Sequence, residues 1–292
     1  MKNWLLLFVP LLCIACGEPP TTSSAEQGGG EVKQEASSNK LIAAEPASTI
    51  KLVTEEINYT VDGEPFTGFL AYDEAIEGKR PGVLVVHEWW GHNEYARTRA
   101  VQLARMGYTA FSLDMYGAGK VTDHPDNAMA FMQMATKDPE QVKERFLKAK
   151  QILEQQSTVY ADKIAAIGYC FGGGVVLNMA RAGVDLDGVA SFHGSLAATQ
   201  VAAPGSVEAK VLVLNGADDT MTPAEQIEAF KTEMDAAGVD YEFINYPGAQ
   251  HSFTNPGATE AGKKYNMPLA YNEQADEQSW EKLQEFLNNL WP

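Results

Sequence analysis

Three features of this 292-residue chain predict an α/β fold: a mostly parallel central sheet, an N-terminal antiparallel hairpin, and helices on both faces. Short apolar runs recur around Val83, Phe111, Ile164, Val189 and Leu212, the pattern of strands buried on both sides. Stretches of helical spacing alternate with them. The residues able to do chemistry (Glu88, Asp114, Cys170, Asp219, His251) each stand just after such a run. Open α/β sheets place their sites there, outside the carboxyl ends of the strands.

The elements follow in order. Glu55 to Val61 and Phe66 to Tyr72 alternate apolar and polar residues around Asp62-Gly63, a hairpin signal. Pro81 to His87 is a buried strand. Glu94 to Met106 is a helix stopped by Gly107. Tyr108 to Leu113 is the next strand. Pro125 to Met134 and Pro139 to Leu153 are helices, each opened by a proline in its first turn. Lys163 to Gly168 is a strand and Phe171 to Ala182 the helix after it. Strands at Leu186 to Phe192 and Lys210 to Asn215 precede a helix from Pro223 to Ala237. Tyr241 to Tyr246 is the last strand and Asp276 to Leu290 the closing amphipathic helix.

The chain begins differently. One positive residue, Lys2, precedes the apolar run Trp4 to Cys16. Spanning a bilayer takes about 20 apolar residues, so the run reads as a signal peptide. Cys13-Ile14-Ala15-Cys16 resembles a lipobox, with Cys16 as the lipidation site and Cys13 where leucine is usual. The alternative is an ordinary cleaved leader. Residues 17–49 are a low-complexity polar tether rich in Ser, Thr, Gly and Pro. As a coil of about 30 residues it reaches roughly 30 Å. The expected organisation is a leader at 1–16, the tether at 17–49 and one domain at 50–292. The protein is then exported and anchored to a membrane through lipid alone.

Acids outnumber bases 39 to 22, a net charge of −17. A nucleic-acid partner, which needs clustered Lys and Arg, is not expected. A monomer acting on a small molecule is. Of three cysteines, Cys13 and Cys16 fall in the leader, so Cys170 has no disulfide partner inside the domain.

Cys170 lies in Gly168-Tyr169-Cys170-Phe171-Gly172-Gly173-Gly174, between a strand and a helix. A glycine-crowded turn of this kind is a nucleophile elbow. A thiol nucleophile needs a base and a group to orient the base. The usual chain order on such sheets is nucleophile, acid, histidine. Of the five histidines only His251 follows both Cys170 and a plausible acid. Asp218 and Asp219 compete as the acid. Asp219 is preferred for its offset from the helix-opening Pro223.

At these residues the chain resembles the dienelactone hydrolases of the α/β-hydrolase fold, over about residues 55–290. The motifs are Gly168 to Gly173, Gly216 to Pro223, His251-Ser252-Phe253 and Val86 to Gly91. The resemblance implies a Cys170 nucleophile, an Asp219 acid and a His251 base acting on esters or lactones through an acyl-enzyme. It also implies that Glu88 hydrogen-bonds the resting thiol and helps activate it. The oxyanion hole is expected from the backbone N–H groups of Trp89 and Phe171. Trp90, Tyr116, His193 and Phe253 are expected as pocket residues, with His193 alternatively structural.

The chain departs from the family at two arginines that hold a substrate carboxylate. Asn255 stands at one position, and no Arg lies between Arg105 and Arg145, where the chain has Lys120 and Lys137. An amide cannot replace a bidentate guanidinium, so neutral substrates are expected. His87 and His92 lie five apart at a strand end, which is not zincin spacing. No metal and no cofactor are expected. The rival reading is a catalytically idle binding module of the cell envelope.

Overall fold

The computed structural model describes residues 49–291. The leader, Cys16 and nearly all of the tether lie outside the described residues. β1 (Leu52–Val61) and β2 (Glu64–Asp73) form the expected antiparallel hairpin. Asp62 and Gly63 between them have φ of 50° and 81°. Two successive positive φ values make the turn whose twist matches its strands, and Asp-Gly tolerates it best.

The alternation follows: β3 (Arg80–Val86), α1 (Glu94–Arg105), β4 (Thr109–Leu113), α2 (Pro125–Thr136), α3 (Pro139–Glu154), β5 (Val159–Tyr169) and α4 (Phe171–Arg181). Then come β6 (Gly188–Phe192), β7 (Lys210–Gly216), α5 (Ala224–Ala237), β8 (Tyr241–Tyr246), α6 (Ala258–Tyr265) and α7 (Glu273–Leu290). The sheet order is β1-β2-β4-β3-β5-β6-β7-β8. β1 and β2 are antiparallel to their neighbours, and β3 to β8 run parallel. β4 and β5 flank β3 on opposite sides, so the chain changes direction there. The crevice at this switch point opens above the ends of β3 and β5, which carry Glu88 and Cys170.

The period of two along each strand sorts side chains into two cores. From β3, Val83 and Val85 pack with Leu103 of α1 and Leu283 and Leu287 of α7. Leu84 and Val86 pack on the other face with Phe146 and Leu153 of α3, Val176 of α4 and Phe230 of α5. Each such side chain is worth about 1.5–3 kcal/mol when fully buried. Among the described residues no helix is long and apolar enough to cross a membrane.

Several boundaries, and one element, differ from the sequence reading. β5 starts at Val159 and not Lys163, through an irregular register in which Arg80 pairs with Val159. α7 starts at Glu273, because the Asn272 side chain caps it by accepting from Ala275 N–H at 3.1 Å. α6 was not expected. It is eight residues long with few apolar positions, so no stripe marks it. Gly262 lets it sit against the Leu269 carbonyl, where a Cβ would collide.

Candidate active site

Cys170 ends β5 and caps α4 with φ 54° and ψ −114°. A non-glycine residue there costs about 1–3 kcal/mol and persists only where surroundings enforce it. They do. Cys170 N–H donates to Phe192 O at 3.0 Å, Gly172 N–H to His87 O at 3.1 Å, and Gly174 N–H to Cys170 O at 3.3 Å. A Cβ on Gly168 would strike the Gly172 carbonyl, and one on Gly172 the Val86 and His87 carbonyls. Gly173 would meet Ser191 Oγ and Gly194 Cα. The thiol is half-buried and free.

The loops after β7 and β8 bring Asp219 and His251 together. His251 Nδ1 lies 2.8 Å from Asp219 Oδ2, and both side chains are buried. Asp219 Oδ1 accepts from Met221 N–H at 2.8 Å, which fixes the carboxylate's orientation. Asp218 is exposed, so the geometry separates the two acids. His251 Nε2 is buried without a formed hydrogen bond, and Cys170 is the neighbour to which its charge is coupled. Burial works against the imidazolium. The charge of Cys170 and the hydrogen bond to Asp219 overcome it and raise His251 to about 10.

Glu88 follows β3 and is 1% exposed. Its Oε1 accepts from Ser252 Oγ at 2.9 Å and its Oε2 from Asn255 Nδ2 at 2.5 Å. The resting hydrogen bond to Cys170 implied by the resemblance is therefore not formed. The amide at position 255, one of the two departures from the family, holds the carboxylate instead. Burial raises Glu88, and Asn255, Ser252, His251 and Arg99 only partly offset it. His87 beneath it is neutral, with burial lowering its pKa. Met115 N–H donates to His87 Nε2 at 3.1 Å, so Nδ1–H donates to the Glu88 carbonyl at 2.5 Å. Both ring nitrogens are thus committed to holding the end of β3. Among the described residues no three His, Cys, Asp or Glu side chains group as metal ligands.

The N–H groups of Trp89 and Phe171 have no acceptor among the loop and side-chain hydrogen bonds of the described residues. Tyr116 is buried, donates its hydroxyl to Trp89 O at 3.0 Å and packs on Phe171. Cys170 is close enough to help raise its pKa, after burial. Trp90 lines a cavity of about 260 Å³ together with Ser252, Asn255 and Leu269. Phe253 is not a pocket wall, and His193 takes the structural role. Phe253 is fully buried under the sheet ends, because the residue after Ser252 turns back into the core. His193, with φ 39°, is also fully buried, and its Nε2 lies 2.7 Å from Thr254 Oγ1. Asp114 is structural: it accepts from the N–H groups of Tyr116, Gly117 and Gly119.

One buried network escaped the sequence reading. Arg99 of α1 donates through Nη2 to Thr254 O and to Asp276 Oδ1 of α7, both at 2.7 Å. Tyr95 Oη lies 2.6 Å from Thr254 Oγ1. The residues that follow His251 are therefore clamped from two helices. Burial disfavours the guanidinium, but Tyr95, Tyr169 and Asp276 hold it charged. Only the charged spacing of two distant helices encodes this pair, and no local motif marks it.

A profile of the dienelactone hydrolase family matches residues 66–291. A candidate carboxymethylenebutenolidase of Saccharolobus solfataricus is 26% identical over 277 residues, covering 81% of this chain and 98% of its own length. A candidate 2-oxo-3-(5-oxofuran-2-ylidene)propanoate lactonase of a Bradyrhizobium species is 25% identical, covering 70% of this chain and 86% of its own. The crystal structure of a dienelactone hydrolase-like promiscuous phosphotriesterase from metagenomic libraries superposes with a TM-score of 0.77 at 33% identity. It covers 82% of this chain and 98% of its own. With an α/β-hydrolase sheet, a strained thiol elbow and that match over residues 66–291, this chain belongs to the dienelactone hydrolase family.

Proposed function

We propose that the protein is an exported hydrolase of neutral esters or lactones that works through a Cys170 acyl-enzyme. The observation that carries this reading is the Asp219–His251 pair held beside a thiol on a strained strand-to-helix turn. Cys170 Sγ attacks the carbonyl carbon, forming the C–S bond and a tetrahedral oxyanion. The free N–H groups of Trp89 and Phe171 receive that oxygen. Collapse breaks the C–O bond, and the leaving alkoxide takes the proton from His251 Nε2. Water then gives a proton to His251 and attacks the thioester. The acid leaves and the thiolate returns. Glu88, parked on Ser252 and Asn255, is the carboxylate that can take the thiol proton when substrate opens that clasp, His251 being already an imidazolium, and hand it back to the sulfur once the acid has left.

Neutral substrates are favoured because no cation lines the cavity beside Trp90. Lys120 Nζ is spent on the Tyr116 and Gly117 carbonyls, each at 3.3 Å. The similarity to a phosphotriesterase makes a neutral phosphotriester a second probe. The test is turnover of 4-nitrophenyl acetate before and after iodoacetamide, and in a Cys170→Ala protein. Loss in both supports the reading. Full turnover by Cys170→Ala refutes Cys170 as the nucleophile, whereas no turnover of any ester or lactone, with a ligand still raising the melting temperature, favours the binding-module alternative. Export with a lipid on Cys16 is the companion proposal. Cys16→Ala should move the protein from the membrane to the soluble fraction, and an unchanged distribution would refute the anchor.

A further inference from the structure

A second cavity, of about 250 Å³, lies over the first turns of α4. Its walls are Met132 of α2, Pro139 and Val142 of α3, and Phe171, Val175 and Met179 of α4. No charged side chain lines it. Its polar side chains are already committed to the protein. Asn178 Nδ2 donates to Gly174 O at 2.9 Å, and its Oδ1 accepts from Thr199 N–H at 2.9 Å. Thr136 Oγ1 donates to Met132 O at 2.8 Å, and Ser195 Oγ accepts from Ala197 N–H at 3.3 Å. An occupant therefore meets mostly apolar walls, which favour an apolar group over a charged one.

Two further observations connect this cavity to the chemistry. Phe171 follows the nucleophile directly, and its ring packs on Tyr116 at 5.4 Å while also facing the cavity. The other is Gly174. A Cβ on Gly168, Gly172 or Gly173 meets an atom closer than 3.0 Å, but on Gly174 the nearest is Ser195 O at 3.3 Å. Close packing requires the first three glycines. The fourth, at the cavity wall, is the least crowded of them, though a Cβ there would still press on the Ser195 carbonyl.

We infer that this cavity binds the aliphatic chain of a neutral ester, making the protein selective for medium-length chains over acetyl or ethyl groups. The inference rests on Cys170 being the nucleophile. Taking for each carbon the roughly 30 Å³ that a water occupies in the liquid, the cavity holds on the order of eight carbons. The chain can belong to the acyl or to the alcohol side, and two substrate series separate them. One runs from 4-nitrophenyl acetate through butyrate to octanoate, the other from ethyl acetate to octyl acetate.

Expected is at least a tenfold rise in kcat/KM with chain length in one series, which names the side that enters. Gly174→Val from the floor and Met132→Trp from the rim should each cut that rise to under threefold, with melting temperature monitored in both. The two positions lie on different helices, so one variant that fails to fold leaves the other to decide. Turnover of acetates with no chain-length dependence in either series overturns the inference and leaves the hydrolase reading standing. So does a long-chain preference that survives in a folded variant. Absence of all ester turnover overturns the nucleophile reading itself.

Discussion

Removing the guanidinium of Arg99 should unfasten the His251 loop from the rest of the domain. Arg99→Met keeps the apolar stem between Tyr95, Tyr169 and Trp280, whose rings lie 5.2–5.4 Å from the guanidinium carbon. It leaves Asp276 without its cation and Thr254 O without its donor. The paired side chains are only 6% and 16% exposed. Breaking one side of such a pair costs about 3–5 kcal/mol. At roughly 2–4 °C per kcal/mol for a domain of this size, the melting midpoint should fall by about 6–20 °C. Turnover of 4-nitrophenyl acetate should fall about tenfold or more, in kcat more than in KM, because the base loses its position while the pocket keeps its walls. Asp276→Leu added to Arg99→Met removes the stranded charge and should recover at least about 1 kcal/mol. A drop under 2 °C, or a double variant that loses the full sum of the two singles, would refute the clamp.

His251 is raised to about 10, so its imidazolium favours the folded state fully below about pH 6.5. That contribution is lost as pH rises through about 10. The melting-temperature gap between wild type and His251→Asn should therefore be widest at pH 6 and close towards pH 10; a gap that is flat across this range contradicts the ion pair. Asn255→Leu removes one donor from buried Glu88 and should cost about 1–3 kcal/mol. Because burial already raises Glu88, ionising it costs stability, so the penalty should be larger at pH 8 than at pH 5 in denaturant titrations. Equal penalties at both would show that Asn255 does not hold a charge. Gly172→Ala, whose Cβ meets the Val86 carbonyl, should cost about 3 kcal/mol or more, while Gly174→Ala should stay within about 1 kcal/mol. Similar melting shifts for the two would undo the distinction between them.

The strands and most helices were legible because both-sided burial writes itself as Val83–Val86 or Leu212–Leu214, and because turns carry Asp62-Gly63 or Gly238. α6 was not, since a short helix between Gly257 and Asn266 buries too few side chains to leave a stripe. Cys170, Asp219 and His251 could be ordered along the chain because each follows a strand. Side-chain partners across loops could not. Nothing local says that Glu88 bonds Ser252 and Asn255, or that Arg99 of α1 meets Asp276 of α7. For the same reason the sequence leaves His193 between a pocket and a structural role and places Phe253 at a pocket: a strand end gives a residue's position but not the direction of its side chain. Their burial depends on how the β6 and β8 loops pack on one another.

The chemistry proposed for this site turns on a covalent bond at one sulfur. Its most direct test is to quench the protein with acid during turnover of 4-nitrophenyl octanoate and read the digested peptides by mass spectrometry. The prediction is an added acyl mass on the peptide carrying Cys170. It should accumulate further in His251→Asn, where water lacks its base, and be absent in Cys170→Ala. Ester turnover with no acyl mass on Cys170 in the wild-type protein or in His251→Asn would contradict it.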